Sequence, residues 1–193
     1  MKQRKATVPD CKESIRILRY FKGTRNIGPE FDGTIKLLLA IYVDASHWLL
    51  QLWGIAGLIA TLGSAAILRK CWFLKFITLS STESEICALT ESVTYVIWLR
   101  ALLKSLGHEQ LSPKPVYQDN EAVRRHRHFW TLQASNCKQL FVTQHIQDGT
   151  ITLKKIHTSE TVVDMLTKVL KDLKFVPTCL AFTCHHCQIN NNK

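Results

Sequence analysis

The sequence predicts an α/β domain, a mixed sheet with helices on its faces. Three observations carry that expectation. The run IKLLLAIYVD (35–44) is continuously apolar and ends in an acid, the pattern of a strand buried on both faces. From about Thr82 to Leu106 the apolar residues recur with helical period. The elements follow the order strand, strand, strand, helix, strand, helix, strand, helix, and such an order builds layers of sheet and helix.

Ahead of the sheet, Asp10 to Phe21 reads as a short helix with Ile15, Leu18 and Arg19 on one side. The turn-rich stretch KGTRNIGPEFDG (22–33) is expected to end it. GIAGLIATLG (54–63) and SAAILRKCWF (64–73) read as two strands joined by a hairpin turn at Leu62, Gly63 and Ser64. KPVYQD (114–119) is a short strand that again ends in an acid. NCKQLFVTQHIQDG (136–149) reads as a helix closed by Gly149, and TITLKKIH (150–157) as a strand. SETVVDMLTKVL (159–170) reads as a helix with Ser159 or Thr158 as its N-cap. Residues 120–136 favour no element, and the tail from Val176 has no periodicity, so it is expected to be poorly ordered.

Composition bounds the partners. With 193 residues, 46% hydrophobic and 21% charged, the chain has the profile of a globular domain. Its net charge of +10 favours a polyanionic partner, nucleic acid before an anionic membrane surface. The run LLLAIYV (37–43) is far too short to span a bilayer, so no membrane partner is expected. Seven scattered cysteines and an N-terminus, MKQRKATVPD, without the apolar core of a secretory signal suggest free thiols in a reducing compartment.

Four acids stand out by position. Asp44 and Asp119 end strands, Glu85 lies in the first turns of the long helix, and Asp164 lies early in the last one. In open α/β sheets, sites form beyond the carboxyl ends of strands, which puts Asp44 and Asp119 at one edge. Hydrolysis of a phosphodiester by two magnesium ions needs such a set, because hard cations want several carboxylate oxygens. Each acid also has a structural reading: an Asp after a strand is a turn residue, and an acid in a first helical turn favours the dipole. Glu85 shares a helix face with Ala88, Leu89, Ser92, Val93, Val96 and Leu99, whereas Glu83 shares one with Thr90, Glu91 and Thr94. Ser80 and Glu83 fit a capping box, and Thr82 and Glu85 form a competing one. Glu83 is the better capping residue and Glu85 the better ligand.

The blocks ILRYFKGTRNIG (17–28), YVDAS (42–46), TLSSTESEICALTESVTYVIWLR (78–100), VYQDN (116–120) and VVDMLTK (162–168) resemble the C-terminal part of copia-type retrotransposon Pol polyproteins, the end of the reverse transcriptase followed by a ribonuclease H domain. The resemblance covers roughly residues 11–175. It implies an RNase H-like fold over residues 35–175, a reverse transcriptase remnant over 1–34, and a tail at 176–193. It further implies cleavage of the RNA strand of an RNA–DNA hybrid with two Mg²⁺ ions, Mn²⁺ being the alternative ion. The family's four acidic ligands fall on Asp44, Glu85, Asp119 and Asp164. Asp44 would bridge both ions, Glu85 and Asp119 would hold the one nearer the leaving group, and Asp164 the one that activates water. The basic surface would track the phosphates of the hybrid, with Asn120, Arg124, Arg125 and Lys138 as nucleic-acid contacts. Partners would be the hybrid and the rest of a retrotransposon polyprotein, in the cytoplasm, within a virus-like particle, or in the nucleus.

The chain also departs from the family. HWLLQLWGIAG (47–57) carries Trp48, Leu49, Leu50, Leu52 and Trp53 where polar residues are usual. EAVRRHRHFWTLQASNC (121–137) follows the family poorly, and Lys138, Gln139 and Thr143 stand where a Lys-His pair and an Arg are usual. The alternative is therefore a degenerate, non-catalytic remnant that binds nucleic acid weakly. Polymerase activity is not expected, since Ala45 replaces the second Asp of the polymerase motif. Integrases and transposases, which share this fold, use fewer and differently spaced acids. Cys179, Cys184, His185, His186 and Cys187 invite a zinc reading, but adjacent ligands are sterically awkward and a disordered tail is the simpler expectation.

Overall fold

The computed structural model describes residues 7–25, 28, 31, 36–47, 54–63, 65–75, 77–121, 123 and 137–168. Helix α1 (Val8–Thr24) starts at Thr7, whose N–H donates to the Asp10 carboxylate (2.9 Å). It runs three residues past the expected end at Phe21, and the Thr24 hydroxyl donates back to the Tyr20 carbonyl (2.8 Å) in that extra turn. No residue of α1 is buried.

The sheet has the order β3-β2-β1-β4-β5, formed by β1 (Leu39–Ser46), β2 (Ile55–Leu62), β3 (Ala65–Phe73), β4 (Lys114–Gln118) and β5 (Ile151–Lys155). The first three strands form an antiparallel meander, while β4 pairs parallel to β1 and β5 parallel to β4. Strand β1 begins four residues later than the apolar run suggests. Its antiparallel partner ends at Leu62, opposite Leu39, where the chain turns at Gly63 (φ 62°), so residues 36–38 have no ladder to join. The expected hairpin turn is there, and the left-handed φ is one that glycine adopts without steric cost.

Alternation along β1 serves two layers. Leu39, Ile41, Val43 and Ala45 pack in one core with Ala88, Leu89, Val93 and Val96 of α2 (Ser81–Ser105). Ile59 of β2 packs on the other face with Val163, Leu166 and the half-buried Tyr42. The first strand is thus covered on both sides, as its unbroken apolar run requires. Helix α2 is long and apolar enough to cross a membrane by composition, and half of its most apolar window is buried within the domain, as a core helix requires. Helix α3 (Cys137–Gln147) packs beside α2, and its chain reverses at Gly149 (φ 72°). This is the mixed sheet flanked by helices that the sequence predicts. Cys11, Cys71, Cys87 and Cys137 are free thiols.

The last helix differs from expectation. Residues Thr158–Glu160 form a single 3-10 turn, and α4 spans only Asp164–Thr167, with Val163 as an uncapped N-cap. Thr158 does not cap a helix, because its hydroxyl donates to Asp119 Oδ2 (3.3 Å) at the neighbouring strand end. Residues 122, 124–136 and 169–193, which include Arg124, Arg125 and the Cys/His tail, lie outside the described residues, as do Trp48 to Trp53.

Candidate metal centre

Asp44 is the sixth residue of β1 and its side chain is buried at 1% exposure. It points to the α4 side of the sheet, since Val43 and Ala45 point to the α2 side. Across the ladder its partner is Gly57 of β2. A Cβ on Gly57 would lie 3.0 Å from Leu166 Cβ and from Thr167 Cγ2, and 3.1 Å from Val163 Cγ2. The missing side chain is what lets α4 settle on the sheet at this point. Asp164 is carried in by the same contact. Asp119, one residue past β4, reaches the same edge because β4 runs parallel to β1.

The three aspartates converge, with one carboxylate oxygen from each lying within 4.8 Å of the others. Among the described residues this is the group able to hold a metal ion. Glu85 stands outside that group of three, buried at 4% exposure on the α2 side. Its Oε2 accepts from Gln118 Nε2 (2.8 Å) of β4. Burial first, and then the charges of Asp44 and Asp119, push its carboxyl up to about 8, against the Gln118 and Ala45 hydrogen bonds that pull it down. Burial likewise raises the Asp44 carboxyl, and Asp164 and Asp119 add to it, opposed by the Thr167 hydroxyl and the Lys168 ammonium. Acids packed this closely hold protons unless a cation offsets their repulsion. The donors are hard oxygens from carboxylates, the set that Mg²⁺ or Mn²⁺ favours.

The helix start of α2 uses its glutamates differently. Glu83 N–H donates to Ser80 Oγ (3.1 Å), and the Glu83 carboxylate accepts from Leu79 N–H (2.7 Å). Glu83 therefore serves the cap, and Glu85 faces the buried side with Ala88, Leu89 and Ser92. Asn120 follows Asp119 and is half-buried. Lys138 sits elsewhere, at the start of α3, where its ammonium reaches Cys87 Sγ (3.5 Å) and lines a cleft of about 430 Å³ with Trp72, Lys75 and Thr94.

Sequence reasoning missed three residues of this centre. Thr167 Oγ1 donates to Asp44 Oδ2. Lys168 Nζ lies 2.8 Å from Asp164 Oδ1 and 3.4 Å from both Asp44 oxygens. Gly57 makes the room. Thr167 and Lys168 follow Asp164 at the third and fourth positions, the spacing that shares a helix face, and this signal was available in VDMLTK. Gly57 had no local signal.

An acidic, metal-compatible edge on a mixed α/β sheet is thus the class of site this chain carries. In comparisons with known proteins, no family model matches. The chain is 29% identical over 165 residues to the retrovirus-related Pol polyprotein from transposon TNT 1-94 of Nicotiana tabacum, which covers 82% of this chain. The chain spans only 12% of that relative's length. The similarity to a retrotransposon Pol polyprotein that the motifs imply is therefore found over most of the chain. Solved structures to which the chain shows similarity include RNase H1 from the halophilic archaeon Halobacterium salinarum NRC-1, at 8% identity and TM-score 0.48, covering 66% of this chain and 92% of that one. LC11-RNase H1 in complex with an RNA/DNA hybrid has 14% identity and TM-score 0.49, over 66% of this chain and 92% of that one. The foamy viral protease-reverse transcriptase in complex with dsDNA has 13% identity and TM-score 0.45, over 69% of this chain and 92% of that one.

Proposed function

We propose that this chain is a ribonuclease H of a retrotransposon polyprotein, hydrolysing the RNA strand of RNA–DNA hybrids with divalent ions held by Asp44, Glu85, Asp119 and Asp164. The observation that carries the reading is the meeting of Asp44, Asp119 and Asp164, drawn from three elements far apart in the chain. The similarity to a retrotransposon Pol polyprotein supports the context. In this reading residues 35–175 form the nuclease domain, and residues 1–34 derive from the end of a reverse transcriptase.

Two bound Mg²⁺ ions would supply a polarised phosphoryl oxygen and an activated water. The protein's own contribution is to fix the carboxylates before substrate arrives. Thr167 holds Asp44, Thr158 holds Asp119, and Gln118 holds Glu85. The net charge of +10 favours association with the phosphates of a hybrid.

The test is cleavage of an RNA–DNA hybrid labelled on its RNA strand, with and without Mg²⁺, comparing the chain with Asp119→Asn. The expected outcome is Mg²⁺-dependent cleavage that the substitution lowers by about a hundredfold or more, as removal of a group stabilising transition-state charge does. Background signal from both proteins would sink the enzymatic reading. A salt-sensitive gel shift persisting in both would then mark a binding remnant.

A further inference from the structure

The carboxylate cluster already contains a cation, and it belongs to the chain. Lys168 Nζ lies 2.8 Å from Asp164 Oδ1 and 3.4 Å from each oxygen of Asp44. An ammonium is a compact point charge with three donors, and here it sits between two of the three carboxylates that converge. Thr167 Oγ1 fixes Asp44 Oδ2 independently of it. The carboxylates are 2% and 9% exposed, whereas the lysine side chain is 39% exposed on a flexible four-carbon stem. The anions are therefore enclosed, whereas the cation has a path to solvent.

We propose that Lys168 is a positioning residue, an internal counter-ion that holds Asp44 and Asp164 together and is displaced when a divalent ion enters. This rests on the metal-dependent reading above, and it concerns a residue outside the ligand set. The ammonium occupies the Asp44 and Asp164 oxygens that a divalent ion would need, so the two compete for the same donors. The divalent ion gains from the same oxygens with twice the charge, and the ammonium recovers hydration on leaving. Lys168 thus sets how much free metal the site needs, and it steadies the cluster when metal is scarce.

Two measurements on the full chain test this, and neither depends on cleavage. The first is titration with Mg²⁺ and with Mn²⁺, followed by calorimetry and by thermal melting, for the wild type, Lys168→Met and Lys168→Arg. The neutral variant should bind either ion about tenfold more tightly and melt at a lower temperature without metal, and the arginine variant should track the wild type. The second is amine acetylation of the wild type read by mass spectrometry, where Lys168 should react faster once Mg²⁺ is added. Unchanged or weaker metal binding in a folded Lys168→Met variant would overturn the proposal. So would a Lys168 no more reactive with Mg²⁺ than without, a readout that stands if the variant fails to fold. Metal binding that releases Lys168 in a protein that cleaves no hybrid would remove the nuclease reading and leave this one. Cleavage with Lys168 unmoved by metal would do the reverse.

Discussion

Gly57 lies directly across the β1–β2 ladder from Asp44, and the empty space above its Cα is filled by Val163, Leu166 and Thr167. One residue without a side chain thereby decides whether the acid at position 164 reaches the acid at position 44. The ladder aligns the two positions, and the helix turn lands where the ladder leaves room.

Substitution of Gly57 should therefore act on the site through packing. A Cβ would meet Leu166 Cβ and Thr167 Cγ2 at 3.0 Å, and the first of these is no flexible chain end. Gly57→Ala is expected to cost about 1–3 kcal/mol, the usual penalty for overpacking, and Gly57→Val more. Thermal melting should show the loss in both, and cleavage should fall more than folding does, because α4 is lifted with Asp164 and Thr167.

The pH dependence of stability follows from Glu85. Its carboxyl moves from 4.5 to about 8 on folding, chiefly through burial. Between those values the folded protein keeps a proton that the unfolded chain has lost, so the folded state binds more protons and stability falls as pH rises. Above about 8 both forms are ionised and the penalty, a few kcal/mol, is complete. The raised Asp44 carboxyl adds with the same sign. The metal-free protein should melt lower near pH 9 than near pH 5, Glu85→Gln should flatten that slope, and Mg²⁺ should restore stability at high pH. Parallel curves for the wild type and Glu85→Gln would refute the assignment.

Thr167→Val removes the hydroxyl that donates to Asp44 while keeping nearly the same volume. The hydroxyl favours the charged carboxylate, so its loss raises the Asp44 carboxyl further. The pH at which Mg²⁺ binding reaches half its maximum should move upward, with little change in affinity at high pH. Calorimetric titration at several pH values reads this.

Ser80→Ala removes the acceptor of the Glu83 N–H and should cost about 1 kcal/mol of stability. Glu83→Gln should cost less, because an amide oxygen can still accept from Leu79 N–H. Neither should alter metal affinity, whereas Glu85→Gln should. The comparison separates the two glutamates by function, with thermal melting and metal titration as its two readouts.

Much of this architecture was legible in the sequence because its causes are local. The hairpin at Gly63, the long α2 and the double-sided β1 follow from turn chemistry and from the period of apolar residues. The distinction between Glu83 and Glu85 also follows from helical geometry, since two positions turn a side chain through about 200°. The start of β1 and the shape of the last helix were not legible. A strand begins where its partner does, and the turn before α4 is tied to Asp119 while α4 itself packs over Gly57, residues distant in the chain.

The sequence by itself determined the class of sheet, the basic charge and the four acids at the ends of elements. Only the tertiary structure decided that three of those acids share one space, that Glu85 stands beside them with its charge suppressed, and that Thr167 and Lys168 complete the cluster. The physical reason is range. Periodicity and capping act within a few residues, whereas mutual repulsion, burial and close packing over one glycine exist only once distant segments are brought together.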